Sequence, residues 1–139
     1  MDQNKLKPIM IQVPVSLGEL LDKISILQVK IGNLPEEKLI PVIFEYNLLK
    51  ESLEEAIVKN DLNSELLYDF LEEMVKINAN QWEIEDKVRE LRKKNNFGEE
   101  YLLMTERISN SNRYRIETKN KINIKFGSNI EVKSYYGEK

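Results

Sequence analysis

The chain has 139 residues, 41% of them hydrophobic and 32% charged, with a formal net charge of −3. That is enough for one domain with a sizeable core and too little for two, and so mild a charge excludes a global field that would draw nucleic acid or a membrane surface. Cysteine and histidine are both absent, which excludes disulfides, thiolate zinc sites, a cysteine nucleophile and the commonest general base.

Any metal would therefore be a hard cation such as magnesium, held by carboxylates and carbonyls. The opening MDQNKLKPIMIQVPV lacks the apolar core of a signal peptide, and no run approaches a membrane span. A cytoplasmic protein is the expectation.

In chain order, Ile9 to Val15 is apolar and rich in β-branched residues, and reads as a short strand. Ser16 starts a helix: with Glu19 it forms the S-x-x-E capping box. Leu17, Leu20, Ile24, Leu27 and Ile31 continue as a heptad-type seam, and Gly32-Asn33 stops it. Leu34 to Asn60 reads as a second helix, with Pro35 in a first-turn position. Pro41 predicts a kink or a restart, because an interior proline removes a backbone bond. Leu39, Val42, Tyr46, Leu49, Leu53 and Ala56 make its buried stripe.

The third helix runs from Ser64 to about Lys94, roughly 45 Å at the rise of an α-helix. Its 3-4 spacing passes through Leu67, Phe70, Met74, Ile77, Gln81, Ile84, Val88 and Leu91. A fourth helix, from about Gly98 to about Lys125, carries Tyr101, Met104, Ile108 and Ile122. After the turn at Gly127-Ser128-Asn129, IEVKSYY alternates as a strand that can pair with Ile9–Val15. The expected fold is mainly α: one domain over 1–139, core about 10–135, built as a bundle of about four helices. It contains a long antiparallel hairpin, with short terminal strands.

Three places can carry chemistry. Glu19, Asp22 and Lys23 either dress a helix start, with Glu19 and Lys23 as an i, i+4 pair, or offer two carboxylates to a cation. On the third helix Trp82 lies off the seam, on a flanking face with Asn78, Glu85, Asp86 and Arg89. A large aromatic among charges packs on another element or meets a ligand. On the fourth helix the apolar seam fails after Ile108 at Ser111, Arg115 and Thr118, and Asn112, Arg115, Lys119 and Asn123 share one face. If the third and fourth helices fold back antiparallel, Asn78 and Gln81 fall opposite Asn110–Arg113. Both seams then turn polar at one height, as a ligand site or as a layer that sets register.

VPVSLGELLDKISIL, WEIEDKVRE, the following FG, the helix carrying Asn112, Arg115, Lys119, Ile122 and Asn123, and the ending EVKSY resemble a family of short uncharacterised bacterial and phage proteins. That family is classed as a domain of unknown function, and the resemblance spans roughly Ile11 to Tyr135. Arg113 and Asn120 depart from its pattern. The matching polar positions are Glu19, Asp22, Lys23, Glu85, Asp86, Arg89, Asn112, Arg115, Lys119, Lys133 and Tyr135. The resemblance implies that they converge as a pocket or a subunit contact, and it implies no reaction.

The functional expectation is a helical binding or assembly module, a coiled-coil-like homodimer without catalysis or cofactor. An alternative is a magnesium-dependent enzyme. GELLDK is similar to the GEL-x-D stretch of all-α nucleoside triphosphate pyrophosphohydrolases, and Glu83-x-x-Asp86 to their second E-x-x-D, so that Glu19, Asp22, Glu83 and Asp86 would hold the metal. Ser16 stands where that motif needs an acid, and a whole extra helix separates the two elements. A further alternative is anion or nucleic-acid binding through the basic fourth helix, against which the acidic pI of about 5.2 argues.

Overall fold

The structure, a computed structural model, describes residues 8–128. It contains four α-helices: α1 (Leu17–Asn33), α2 (Leu39–Asn60), α3 (Ser64–Lys93) and α4 (Glu99–Phe126). None is long and apolar enough to cross a membrane.

Local chemistry sets the helix ends. Ser16 is extended, and its Oγ accepts the Glu19 amide at 3.1 Å, so the expected cap forms. α1 ends at Leu34, which Pro35 holds extended. A single 3-10 turn, Glu36–Lys38, separates it from α2. Because α2 begins at Leu39, Pro41 falls in its first turn, where the missing N–H has no partner to lose. The restart expected at Pro41 thus occurs just before it. Asn63 caps α3 by accepting the Leu66 amide at 3.1 Å. α4 ends on Gly127 at φ 69, a left-handed cap that lets the Ser128 amide reach Asn123 O at 2.8 Å.

α1 is the central element. It packs against α2, α3 and α4, while α3 and α4 also pack on each other. α3 and α4 form the expected antiparallel hairpin, pinned by Gln81 to Ser111 at its middle and Lys87 to Glu100 nearer its tip. α4 also runs antiparallel to α1, since Ser128 meets Leu17 and Lys119 meets Asp22. Leu21, Ile24, Leu53, Leu67, Met74 and Ile122 are fully buried where the helices meet. Phe70 and Phe126 close one end edge to face, with ring centres 6.1 Å apart.

Two expectations need correction. The α3 seam is not a two-position coiled-coil stripe. Leu71 and Asn78 are buried beside Leu67, Met74, Ile77, Val88 and Leu91, while Phe70, Gln81 and Ile84 are only half-buried. That broad face suits a globular core. The terminal strands are the second. Residues 8–16 form no regular secondary structure, and among the described residues there is no strand. A strand exists through ladder bonds to a neighbour, and Pro8 and Pro14 each remove a donor. The expected partner, Ile130–Tyr136, lies outside the described residues.

Gly18 shows how closely α1 and α4 cross. A Cβ there would lie 2.5 Å from the Lys119 carbonyl oxygen and 2.8 Å from Asn123 Oδ1, whereas one at Gly32 would meet nothing within 4 Å. Gly18→Ala is therefore expected to destabilise the protein by about 1–3 kcal/mol through overpacking against backbone. Gly32→Ala should be neutral or stabilising by up to about 1 kcal/mol, since alanine is the better helix former. Urea unfolding of the two variants beside the wild type checks the opposite signs.

Candidate functional site

A polar cluster lies inside the junction of α1, α3 and α4. α1 exposes neighbouring helices to three of its sides, so a position off its apolar seam is buried as well. Asp22 is such a position, at 4% exposure. Its Oδ2 lies 3.2 Å from Lys119 Nζ, and its Oδ1 accepts from Asn78 Nδ2 at 3.0 Å. Arg115 Nε stands 4.0 Å from the same Oδ1.

Lys119 is itself buried, at 6% exposure. Its ammonium reaches Glu19 Oε2 at 2.8 Å as well as Asp22, so one cation serves two carboxylates. Asn78 Nδ2 also donates to Ser25 Oγ at 2.6 Å, and Ser25 donates to the Asp22 carbonyl at 2.7 Å. Arg115 extends the network outward: it donates to Asn112 Oδ1 at 2.9 Å and to Asn78 Oδ1 at 3.5 Å. Two acids face two bases, so the formal charges cancel within the cluster. Burying charges without such pairing would cost several kcal/mol.

One turn below, α4 completes the start of α1. The amide of Leu17 donates to Ser128 Oγ at 2.8 Å and that of Gly18 to Asn123 Oδ1 at 2.7 Å. With Ser16 taking the Glu19 amide, these orphan donors of the helix are satisfied by side chains. Asn123 is buried at 2% exposure, and its Nδ2 has no hydrogen-bond partner among the described residues.

The sequence-derived site divides accordingly. Glu19, Asp22, Asn112, Arg115 and Lys119 come together, joined by Asn78. Lys23 is exposed, and the ammonium that meets Glu19 in the core belongs to Lys119. Asp86 and Arg89 pair with each other on the exposed surface of α3. Glu85 accepts from Gln81 within the same helix at 3.3 Å, and Trp82 is half-buried beside it. The blocks of the resemblance thus contribute unequally to one place. Ser25 escaped the sequence reading; its only signal was its spacing of three from Asp22 on the same helix face.

The donor set does not fit a magnesium site. Lys119 occupies the position between Glu19 and Asp22 that a cation would take. Glu83 and Asp86 are exposed on α3, and Asp86 is paired with Arg89. Among the described residues no three acids are grouped as metal ligands.

A surface groove of about 580 Å³ lies elsewhere on the hairpin, floored by Ile77 and Ile84 and edged by Lys76, Asn80, Arg107 and Tyr114. The Tyr114 hydroxyl donates to Glu73 at 3.0 Å, and that hydrogen bond to a carboxylate pushes its pKa up. Comparison with protein-family models, curated proteins and solved structures gives no match for this chain.

The cluster predicts a stability difference. Lys119→Met takes the ammonium from the buried Asp22 carboxylate and the half-buried Glu19, and is expected to cost about 3–5 kcal/mol. Adding Asp22→Asn to it should recover part of that loss, with a coupling of about 0.5–3 kcal/mol. Asp86→Ala, on the exposed surface, should stay within about 0.5 kcal/mol of wild type. Urea unfolding of these variants, the Asp22→Asn single variant and the wild type measures all three.

Proposed function

We propose that the chain is a non-catalytic helical binding and assembly module that works as a homo-oligomer, the dimer being the simplest closed form. The observation that carries this reading is the apolar surface left open by the fold. Ile9, Met10, Ile11, Val13 and Val15 are exposed in one continuous segment, and Ile40, Ile43 and Phe44 are exposed on one turn of α2. Contiguous apolar surface of this kind marks contact surfaces in proteins. The buried cluster supports the non-catalytic half of the reading. Its acids and bases are matched to one another, and its hydrogen bonds serve the packing of three helices.

A second reading has one observation of its own. The hairpin groove carries Lys76 and Arg107 and has no acid among its lining residues. That suits a small anionic ligand with an apolar body.

Sedimentation velocity over a wide concentration range is expected to give a dimer, and a clean monomer at the highest concentration would overturn the assembly reading. For the groove, calorimetric titration with a nucleoside monophosphate should show binding that Arg107→Glu removes. Equal heats for both proteins would dispose of that reading.

A further inference from the structure

We infer that residues 9–13 of one copy pair antiparallel with residues 9–13 of a second copy about a two-fold axis, so that a ribbon shared between subunits is the contact that makes the dimer. The inference rests on the assembly reading above and names its surface.

Among the described residues, the segment before α1 carries the longest run of exposed apolar side chains. Ile9 is 96% exposed, Ile11 83%, Val13 65%, Met10 61% and Val15 38%. The segment forms no helix, strand or turn, and no backbone hydrogen bond from residues 9–13 to a described residue is formed. Chain with open N–H and C=O groups is a template for a strand partner, and Val13, preceding Pro14, is biased toward the extended region. Exposed edges are normally guarded by charge. From Pro8 to Ser16 there is no charged residue, so two copies meet without repulsion.

The prolines fix the register. Pro8 and Pro14 have no N–H to give, which leaves five residues, 9 to 13, with both donor and acceptor. Paired with itself about a two-fold axis, this stretch centres on Ile11. Ile11 then faces Ile11, Ile9 faces Val13, and Met10 faces Gln12. Ile9, Ile11 and Val13 lie on one side of the strand. Each copy supplies three β-branched residues to that side, the type that packs best across strands. An antiparallel pair of identical segments is an isologous contact, in which the same patch of each subunit serves both.

A two-stranded ribbon by itself is marginal and needs a surface behind it. The arm has one at its root. Val15 and Ser16 border a groove of about 430 Å³ whose walls include Leu17, Leu20, Leu62 and Phe126. Ser16, at 1% exposure, anchors the arm firmly to the bundle. Ile9, Ile11 and Val13 of each copy cover one another on their side of the ribbon, and Val15 continues the apolar run into the groove rim at each end.

The chain contains no cysteine, so single introduced thiols report the pairing directly. Across the axis the two Ile11 Cα atoms should lie about 4.5–5.5 Å apart, within disulfide reach. Ile11→Cys is expected to oxidise almost completely to a covalent dimer at low micromolar concentration. Ile9→Cys sits four residues from its own mate, about 14 Å along the strand, and should cross-link poorly alone but well when mixed with Val13→Cys. Ile11→Asp should keep the helical circular dichroism and unfolding curve of the wild type while sedimenting as a monomer.

Equal cross-linking by Ile9→Cys, Ile11→Cys and Val13→Cys alone, or none by any, overturns the pairing. So does an Ile11→Asp protein that remains dimeric, and in that case the assembly reading survives without this surface. A wild-type protein that sediments as a monomer removes the assembly reading and the ribbon with it.

Discussion

The carboxylate of Asp22 lies where α1, α3 and α4 meet, with one oxygen turned to Lys119 and the other to Asn78. A charge at 4% exposure is tolerated only when its partners stand at hydrogen-bonding distance. Satisfying it therefore fixes the height of three helices at once. α4 must place Lys119 beside it, and α3 must place Asn78 on its other flank. Gly18 is the steric condition for this, because any larger residue would hold α4 away from α1. Sliding any of the three helices by one turn would leave Asp22, Lys119 or both buried without compensation. A hydrophobic seam alone tolerates such slips far better, since one apolar contact resembles the next.

Much of the fold is legible in the sequence, because helices are written in local terms. Apolar spacing and end chemistry place the four elements, and Ser16, Pro41 and Gly127 mark boundaries for stated steric and hydrogen-bonding reasons. The meeting of the two polar stretches was also legible. A short connection after α3 makes the next helix return antiparallel, which puts Gln81 against Ser111 and Asn78 within reach of Arg115. What a heptad seam does not encode is how many neighbours a helix has. α1 has three, so Leu21, Asp22, Ser25 and Val29 are buried in addition to Leu17, Leu20, Ile24 and Leu27. Lys119 was legible through the face it shares with Asn112, Arg115 and Asn123, but its burial was not, because it sits among Arg113, Arg115, Lys121 and Lys125 and no local feature marks which ammonium turns inward. Asp86 and Arg89 belong to a motif-like block, yet Asp86 is eight residues along α3 from Asn78, about 12 Å at the helical rise.

The surface and the interior divide the work of this molecule. Inside, Asp22 and Glu19 are set against Lys119 and Arg115, and Asn78 and Ser25 tie the acid to a third helix, which gives specificity of packing. Outside, the fold leaves apolar side chains in water on the arm before α1 and on the first turns of α2. Single exposed apolar residues mean little, but a run of them outside regular secondary structure gains from being covered. The same contrast accounts for the groove on the hairpin, where small polar residues at Asn80 and Ser111 leave space between two helices that larger side chains would close.

The hydrogen bonds from Leu17 to Ser128 and from Gly18 to Asn123 also bear on the order in which the protein can be completed. They span separations of 111 and 105 residues. During synthesis α1 leaves the ribosome first, yet its opening amides and its buried carboxylate are matched only when the last turns of α4 have been made. The central helix of the bundle is therefore the one whose environment is finished last. A nascent chain that stops short of Lys119 can lay α1 against α2 and α3, but it holds the Asp22 carboxylate without its ammonium partner.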